Sequence, residues 1–310
     1  MLGPDDAFSK SFDETIDSIA GDSIAFEMPE RKNLMSEIIN DLPLKEYLTH
    51  KAMSKSKLDL FARDENLLSW QLNCPTDEDK LKVFDFGTAM HAILLEPHKI
   101  ESDYAVMPKY NLRTNLGKQN KADFEADNAD KQILTSDDYK KLKLMFGSVM
   151  AHPSARKIIQ SGGPVEQSFF WTDSESGVDC RCRTDKIVTE DNYIVDIKTV
   201  DDLSSFKYSV ENYRYYVQDA FYLDGAAANG VVCDHMKFLV IQKNIEMGRY
   251  PVMVVTLPAE VTQYGRKTYK TDLINYAKYC EKQVIKPSQE LELHHWFINK
   301  IYDEFVGGIQ

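Results

Sequence analysis

The sequence is poor in cysteine. Its 310 residues include five, Cys74, Cys180, Cys182, Cys233 and Cys280, an odd number with no C-x-x-C pair. That usage argues against a disulfide framework and against a zinc ribbon. Cys180 and Cys182 are instead expected to line one strand face as small apolar residues. No apolar run approaches the roughly 20 residues that a membrane-spanning helix needs. The N-terminus, M-L-G-P-D-D-A-F-S-K, lacks the basic and apolar regions of a secretory signal, so a cytoplasmic protein is expected. Internal repeats and low-complexity tracts are also missing. Positive charge is short: 37 Lys and Arg face 49 Asp and Glu, for a net charge of −12. Phosphate contacts come mostly from Lys and Arg, so the sum disfavours broad capture of a polyanion. It leaves room for a basic cleft, because field focusing depends on the lining of a cleft and not on the total.

What is present is a globular composition, 43% hydrophobic and 11% aromatic, long enough for one large domain or at most two. Residues 1–30 carry eight Asp and Glu against Lys10 alone and show no sustained helical stripe, which reads as an acidic, weakly ordered extension before a domain over 31–310. From Arg31 to Asn73 apolar residues, including Ile38, Ile39, Leu58, Phe61 and Leu68, recur at helical spacing, with Ser56 able to cap a helix near Lys57. Another helix is expected from Phe86 to Glu96, ended by Pro97. Lys99 to Ala129 lacks periodicity but gathers Lys109, Arg113, Lys118 and Lys121; it reads as a solvated loop or a DNA-contacting one. Thr135 or Ser136 caps a helix that ends near Pro153.

Beyond Val165 the pattern changes to strands. Val165 to Trp171, Cys180 to Val188 and Tyr193 to Thr199 have strand character, joined by T-D-S-E-S-G and by Thr189 to Asn192. A long helix is expected over 203–228, strands over 236–242 and 251–257, and helices over 259–284 and 290–306. That order gives an α/β (α+β) domain with a central mixed sheet flanked by helices.

The second hairpin concentrates the electrostatics. With its turn centred between Glu190 and Asp191, residues whose numbers total 381 face one another, and Asp185 lies opposite Asp196. Directly opposed side chains share a face about 5 Å apart, and alternation puts Lys198 on the face of Asp196. Two carboxylates so placed repel unless a cation sits between them, and a divalent metal would be that cation; the other reading of Asp185, Asp196 and Lys198 is a surface salt-bridge cluster. His91, taken alone, reads as a packed or capping residue. Glu166, on the preceding strand, is either a surface glutamate or a further carboxylate.

These residues resemble a known family. D-x10-D-x-K (Asp185, Asp196, Lys198) on a hairpin followed by a helix resembles the PD-(D/E)xK nuclease superfamily. G-T-A-M-H, Gly87 to His91, is similar to the G-x-x-x-H motif of its RecB-like branch. Gln218 and Tyr222 are similar to that branch's Q-x-x-x-Y, and at i, i+4 they share one helix face. The wording F-G-T-A-M-H-A-I-L-L-E-P, R-C-R-T-D-K-I, I-V-D-I-K-T and Y-R-Y-Y-V-Q-D-A-F-Y is similar to RecE-type exonucleases over roughly Lys45 to Tyr222.

The resemblance implies a PD-(D/E)xK restriction-endonuclease-like core and a Mg²⁺-dependent exodeoxyribonuclease, with Mn²⁺ also accommodated. It would digest linear double-stranded DNA ends 5′ to 3′, leaving 3′ overhangs for a RecT-like annealing partner. A homo-oligomeric ring around DNA would reconcile an acidic subunit with a basic channel. His91, Asp185, Asp196 and the carbonyl of Ile197 are the implied metal ligands. Lys198 would orient or help deprotonate water or neutralise charge, while Gln218 and Tyr222 would hold the scissile nucleotide or support Lys198. The iron–sulfur cluster of some relatives is not expected, because its four cysteines are missing. A 5′-terminal phosphate suits Ser54, Ser56 and Arg63, with Arg113 and Arg183 as competitors; simple helix capping explains the serines equally well. An endonuclease, a Cas4-like end-trimming nuclease and a non-catalytic DNA-end-binding scaffold are the alternatives.

Overall fold

The computed structural model of the protein describes residues 36–75, 86–282, 294–296 and 298–299. The chain divides into a unit Met28–Lys278 and a second made of Met1–Glu27 with Tyr279–Gln310. The sheet and the site described below belong to the first. The acidic extension over 1–30, the Thr76–Lys80 run, Lys286–Ser288 and most of the helix expected over 290–306 lie outside the described residues.

Among the described residues eight strands are formed: β1 (Glu37–Ile39), β2 (Tyr104–Met107), β3 (Gln132–Thr135), β4 (Val165–Thr172), β5 (Asp179–Val188), β6 (Tyr193–Val200), β7 (His235–Gln242) and β8 (Val252–Thr256). Six make one sheet in the order β1-β4-β5-β6-β7-β8, and β2 and β3 form a separate parallel pair. β6 and β7 run parallel, while the other neighbours in the large sheet are antiparallel. A parallel pair needs a crossover, and the helical stretch between β6 and β7 supplies it. The result is the mixed sheet flanked by helices expected from the sequence.

The helices are α1 (Leu44–Thr49), α2 (Lys55–Arg63), α3 (Glu65–Asn73), α4 (Phe86–Leu95), α5 (Pro97–Asp103), α6 (Asn115–Asp127), α7 (Ser136–Ala151), α8 (Pro153–Gln160), α9 (Phe206–Asn212), α10 (Tyr215–Ala228) and α11 (Ala259–Lys282). One face of the sheet is covered by α4, α7 and α8: Met90, Leu142, Met145, Val149 and Ile158 pack with Val195, Ile197, Leu239 and Ile241. Each large side chain so buried contributes about 1.5–3 kcal/mol. Because Val195 and Ile197 point into this layer, alternation sends Asp196 and Lys198 to the other face, towards α10. There Phe221 packs on Trp171 with ring centroids 4.8 Å apart. Gly225 permits the approach, since a Cβ at that position would meet the Trp171 ring at 2.6 Å.

Four local expectations are corrected. Ile38 and Ile39 belong to a strand, β1, paired with β4 at the sheet edge, because tertiary pairing overrides a short helical spacing. The cap of α2 is Ser54, whose Oγ accepts from Lys57 N at 3.3 Å, and not Ser56. The segment 99–129 is not a loop: it holds α5, β2 and the 13-residue α6, capped by Thr114. The helix expected over 203–228 is broken into a 3₁₀ turn, α9 and α10 by Arg214, whose φ of 51° is left-handed.

Candidate active site

The register of the β5–β6 hairpin is the one anticipated, with Lys186–Val195, Ile187–Ile194 and Val188–Tyr193 as partners. The next pair would be Asp185–Asp196, and there the ladder stops. Ile197 N donates instead to Asp185 Oδ2 at 2.6 Å. On its other side Asp185 is open as well. β4 and β5 pair at Val165–Lys186 and at Gln167–Thr184, but the intervening Glu166–Asp185 pair is skipped. Glu166 has a φ of 48°, a left-handed conformation costing a non-glycine residue on the order of 1–3 kcal/mol and found mostly where function requires it.

His91, on α4, reaches this opening from the opposite layer. Its Nε2 is 3.0 Å from the Ile197 carbonyl oxygen and its Nδ1 is 3.6 Å from Asp185 Oδ2. A carbonyl can only accept, so Nε2 carries the hydrogen and Nδ1 of the neutral ring presents a lone pair beside Asp185. His91, Glu166 and Asp185 each offer a ligand atom, all within 4.8 Å of one another. Glu166 was the residue whose role the sequence left open. The Ile197 carbonyl, expected as a ligand, here orients the imidazole.

Asp196 is 3% exposed and faces two partners. Gln218 Nε2, from α10, donates to Oδ1. Lys198 Nζ lies 2.7 Å from Oδ2, which accepts no hydrogen bond of normal geometry. Tyr222 lies one turn beyond Gln218 on α10, its phenol pushed well up by desolvation. Burial would lower the Lys198 ammonium, but Asp196 and Asp185 outweigh it and hold it above the ordinary lysine value. Burial raises Asp185, with Asp196 adding and His91 opposing. Burial and the Asp185 charge push Glu166 up to about 7, against His91. Burial works to lower His91, yet Asp185, Asp196 and Glu166 carry it above its usual value.

This set fits a divalent cation. Two carboxylates and an imidazole within one ion's reach are the donors that Mg²⁺ or Mn²⁺ accepts. The desolvated carboxylates of Asp185 and Glu166 are groups whose cost a cation would relieve.

A family model described as a PDDEXK-like domain of unknown function (DUF3799) matches residues 52–292. The chain belongs to this family. Among solved structures, a "putative exonuclease" from Eubacterium rectale is similar at 12% identity and a TM-score of 0.51, over 86% of this chain and 98% of its own. That likeness is one of fold. A second crystal structure, of SSO0001, has 11% identity and a TM-score of 0.27 over 72% of this chain and 96% of its own, too little to carry an argument. No curated protein matches. Membership of the PDDEXK-like family, with a possible acidic metal site in place, supports a nuclease. Among the described residues no helix is long and apolar enough to cross a membrane.

In this PDDEXK-like domain the residues considered for a 5′-phosphate fall in three places: Ser54, Ser56 and Arg63 at α2, Arg113 before α6 and Arg183 on β5. Ser54 is buried at the start of α2, its Oγ 3.1 Å from Ser56 Oγ, and Arg63 is exposed at the end of that helix. Arg113 is exposed in the loop before α6. Arg183 is tied inward: Nε donates to Ser168 Oγ at 2.9 Å, one terminal nitrogen donates to the Leu42 carbonyl at 2.6 Å, and the guanidinium lies 4.5 Å from the centroid of the Tyr47 ring. Arg181 flanks the same ring at 4.2 Å.

Asp219, the neighbour of Gln218, gives a pH-dependent stability prediction. Thr262 Oγ1 donates to its Oδ2 at 2.5 Å, but Oδ1 is buried without a partner. Burial raises this carboxyl from 3.8 to about 6. A raised acid binds more protons folded than unfolded, so stability falls as pH rises from about 4 to about 6, by roughly 3 kcal/mol. Asp219→Asn keeps an acceptor for Thr262 and removes the charge. Urea unfolding from pH 4 to pH 7 should show the variant gaining on the wild type as pH rises; a difference constant with pH would contradict this assignment.

Proposed function

We propose that the protein is a metal-dependent exodeoxyribonuclease that digests linear double-stranded DNA from its 5′ ends and leaves 3′ single strands. The observation that carries the reading is the convergence of His91, Glu166 and Asp185 where strand pairing opens, beside the Asp196–Lys198 pair. His91, Glu166 and Asp185 would hold a divalent cation, Mg²⁺ or Mn²⁺, with Asp196 as the adjoining carboxylate. The chemistry such an ion supplies when bound is Lewis-acid polarisation of the phosphoryl group and of the attacking water.

The chain's own groups account for the rest. The Ile197 carbonyl fixes the His91 ring, and Ile197 N fixes Asp185. Gln218 holds Asp196 from α10, so that carboxylate keeps one orientation towards Lys198. The Lys198 ammonium, a donor on a partly exposed side chain, can orient the attacking water and neutralise the charge that develops on the phosphoryl oxygens. Tyr222 would position the scissile nucleotide.

The direction of attack and the wider role rest on the RecE-type resemblance of the motifs. They include a homo-oligomeric ring, which would set a basic channel inside an acidic subunit, and a RecT-like annealing partner that takes the 3′ strand. Linear duplexes labelled at the 5′ or the 3′ end test the polarity in Mg²⁺. The 5′ label should be released first and covalently closed circles should survive. Early release of the 3′ label would overturn the direction, and cutting of closed circles would indicate an endonuclease.

A further inference from the structure

Beside Lys198 lies an aromatic surface that the hydrolytic roles above do not use. Tyr213 is 61% exposed, although it is a large aromatic residue. Its ring leans against Tyr215 in a tilted contact, with centroids 5.8 Å apart and planes 31° from parallel. Tyr215 in turn carries the Lys198 ammonium 4.7 Å from its ring centroid and the Lys55 ammonium at 5.7 Å, and it stacks inward on Phe238. The two rings therefore lead from the solvent to the lysine of the site, with cations along the way.

The backbone that presents them is held in place. Arg214, between the two tyrosines, has a φ of 51° and separates α9 from α10. A left-handed arginine costs on the order of 1–3 kcal/mol and persists only where its surroundings over-determine it. Its guanidinium bridges two carboxylates, donating to Asp59 Oδ1 at 3.1 Å and to Asp272 Oδ2. Lys55 adds an ion pair to Asp59 at 2.6 Å and donates to the carbonyl of Tyr213. Helices α2, α10 and α11 thus clamp the turn. A protruding tyrosine on a clamped, strained turn is a preorganised contact, because the ring needs little further ordering on binding.

We propose that Tyr213 and Tyr215 form a stacking platform for the bases of a DNA single strand beside the scissile phosphate. The proposal rests on the nuclease reading of the site. Flat aromatic faces flanked by ammonium groups are the chemistry that binds unpaired nucleotides without regard to sequence: every base has a π face, and the cations meet the backbone. A paired duplex end hides those faces. The platform would favour a frayed terminal nucleotide and hold it at Lys198.

The test measures binding of a fluorescent oligothymidylate to the full chain by anisotropy in EDTA, where no cleavage occurs. An abasic strand of the same length is the control. Tyr213→Ala should weaken binding of the oligothymidylate by roughly 5- to 150-fold, the range for loss of one stacked base. Tyr213→Phe should restore it, since stacking does not need the hydroxyl. Wild type should bind the abasic strand more weakly, and Tyr213→Ala should distinguish the two less than wild type does. Equal affinity of wild type and Tyr213→Ala, as a protein-docking role for the tyrosine would give, overturns the platform, as does an equal loss on the abasic strand or no binding by wild type. Mg²⁺-dependent hydrolysis measured alongside separates the two readings. Cleavage with no Tyr213 effect removes the platform alone, whereas Tyr213-dependent binding with no cleavage removes the nuclease.

Discussion

Lys198→Met should lose about 10²- to 10³-fold of its DNA hydrolysis while remaining folded, the scale found when one preorganised donor to a developing charge is removed. Methionine keeps the stem packed over Tyr215 and deletes only the ammonium. Asp196 then stands buried without its partner cation, so a modest fall in melting temperature is expected. Rates are therefore compared at a temperature below both transitions, with circular dichroism recording the fold. A folded Lys198→Met that hydrolyses DNA within a factor of a few of the wild type would remove Lys198 from the reaction.

The second large effect is on metal binding. Asp185→Asn retains an acceptor for Ile197 N and removes a negative charge from the group formed with His91 and Glu166. Mn²⁺ affinity, measured by calorimetry, should fall at least 10- to 100-fold, the loss already expected for partners that merely support a ligand. Glu166→Gln should show a similar fall. That variant is the discriminating one, because the motif resemblance placed the metal among His91, Asp185, Asp196 and the Ile197 carbonyl. Unchanged Mn²⁺ affinity in Glu166→Gln would return the ligand set to those four.

The reason Glu166 was ambiguous in the sequence is instructive. The register of the second hairpin follows from its turn, and the pairs from Lys186–Val195 to Val188–Tyr193 are the ones the turn dictates. The same counting applies to the first hairpin. A turn centred between Glu175 and Ser176 puts Glu166 opposite Asp185, and β4 and β5 do keep that register from Thr172–Asp179 to Val165–Lys186. The middle of T-D-S-E-S-G, between Ser174 and Glu175, would instead set Glu166 opposite Arg183, so the motif alone does not fix this register. What no local pattern could give is the left-handed backbone of Glu166, which removes this pair from the ladder.

Other elements divide in the same way. Helix α4 and strands β4 to β8 were legible because apolar periodicity there corresponds to burial, as in Ala89, Met90 and Leu94 of α4. α6 was not, because it buries Gly117 alone and so carries no apolar stripe. The break at Arg214 is held by Asp59 and Asp272, far away in the chain, and no glycine or proline marks it in the sequence. Gln218 and Tyr222 were legible as an i, i+4 pair, but the contact of Gln218 with Asp196 emerges only when α10 packs on the sheet.

Metal-dependent hydrolysis is tested most directly by release of acid-soluble nucleotides from uniformly labelled linear duplex DNA, with Mg²⁺ and, in parallel, with EDTA. Release in Mg²⁺ that EDTA abolishes is the predicted result. Intact DNA in Mg²⁺ and in Mn²⁺ alike, with a folded protein, would contradict a hydrolytic centre built on His91, Glu166, Asp185, Asp196 and Lys198.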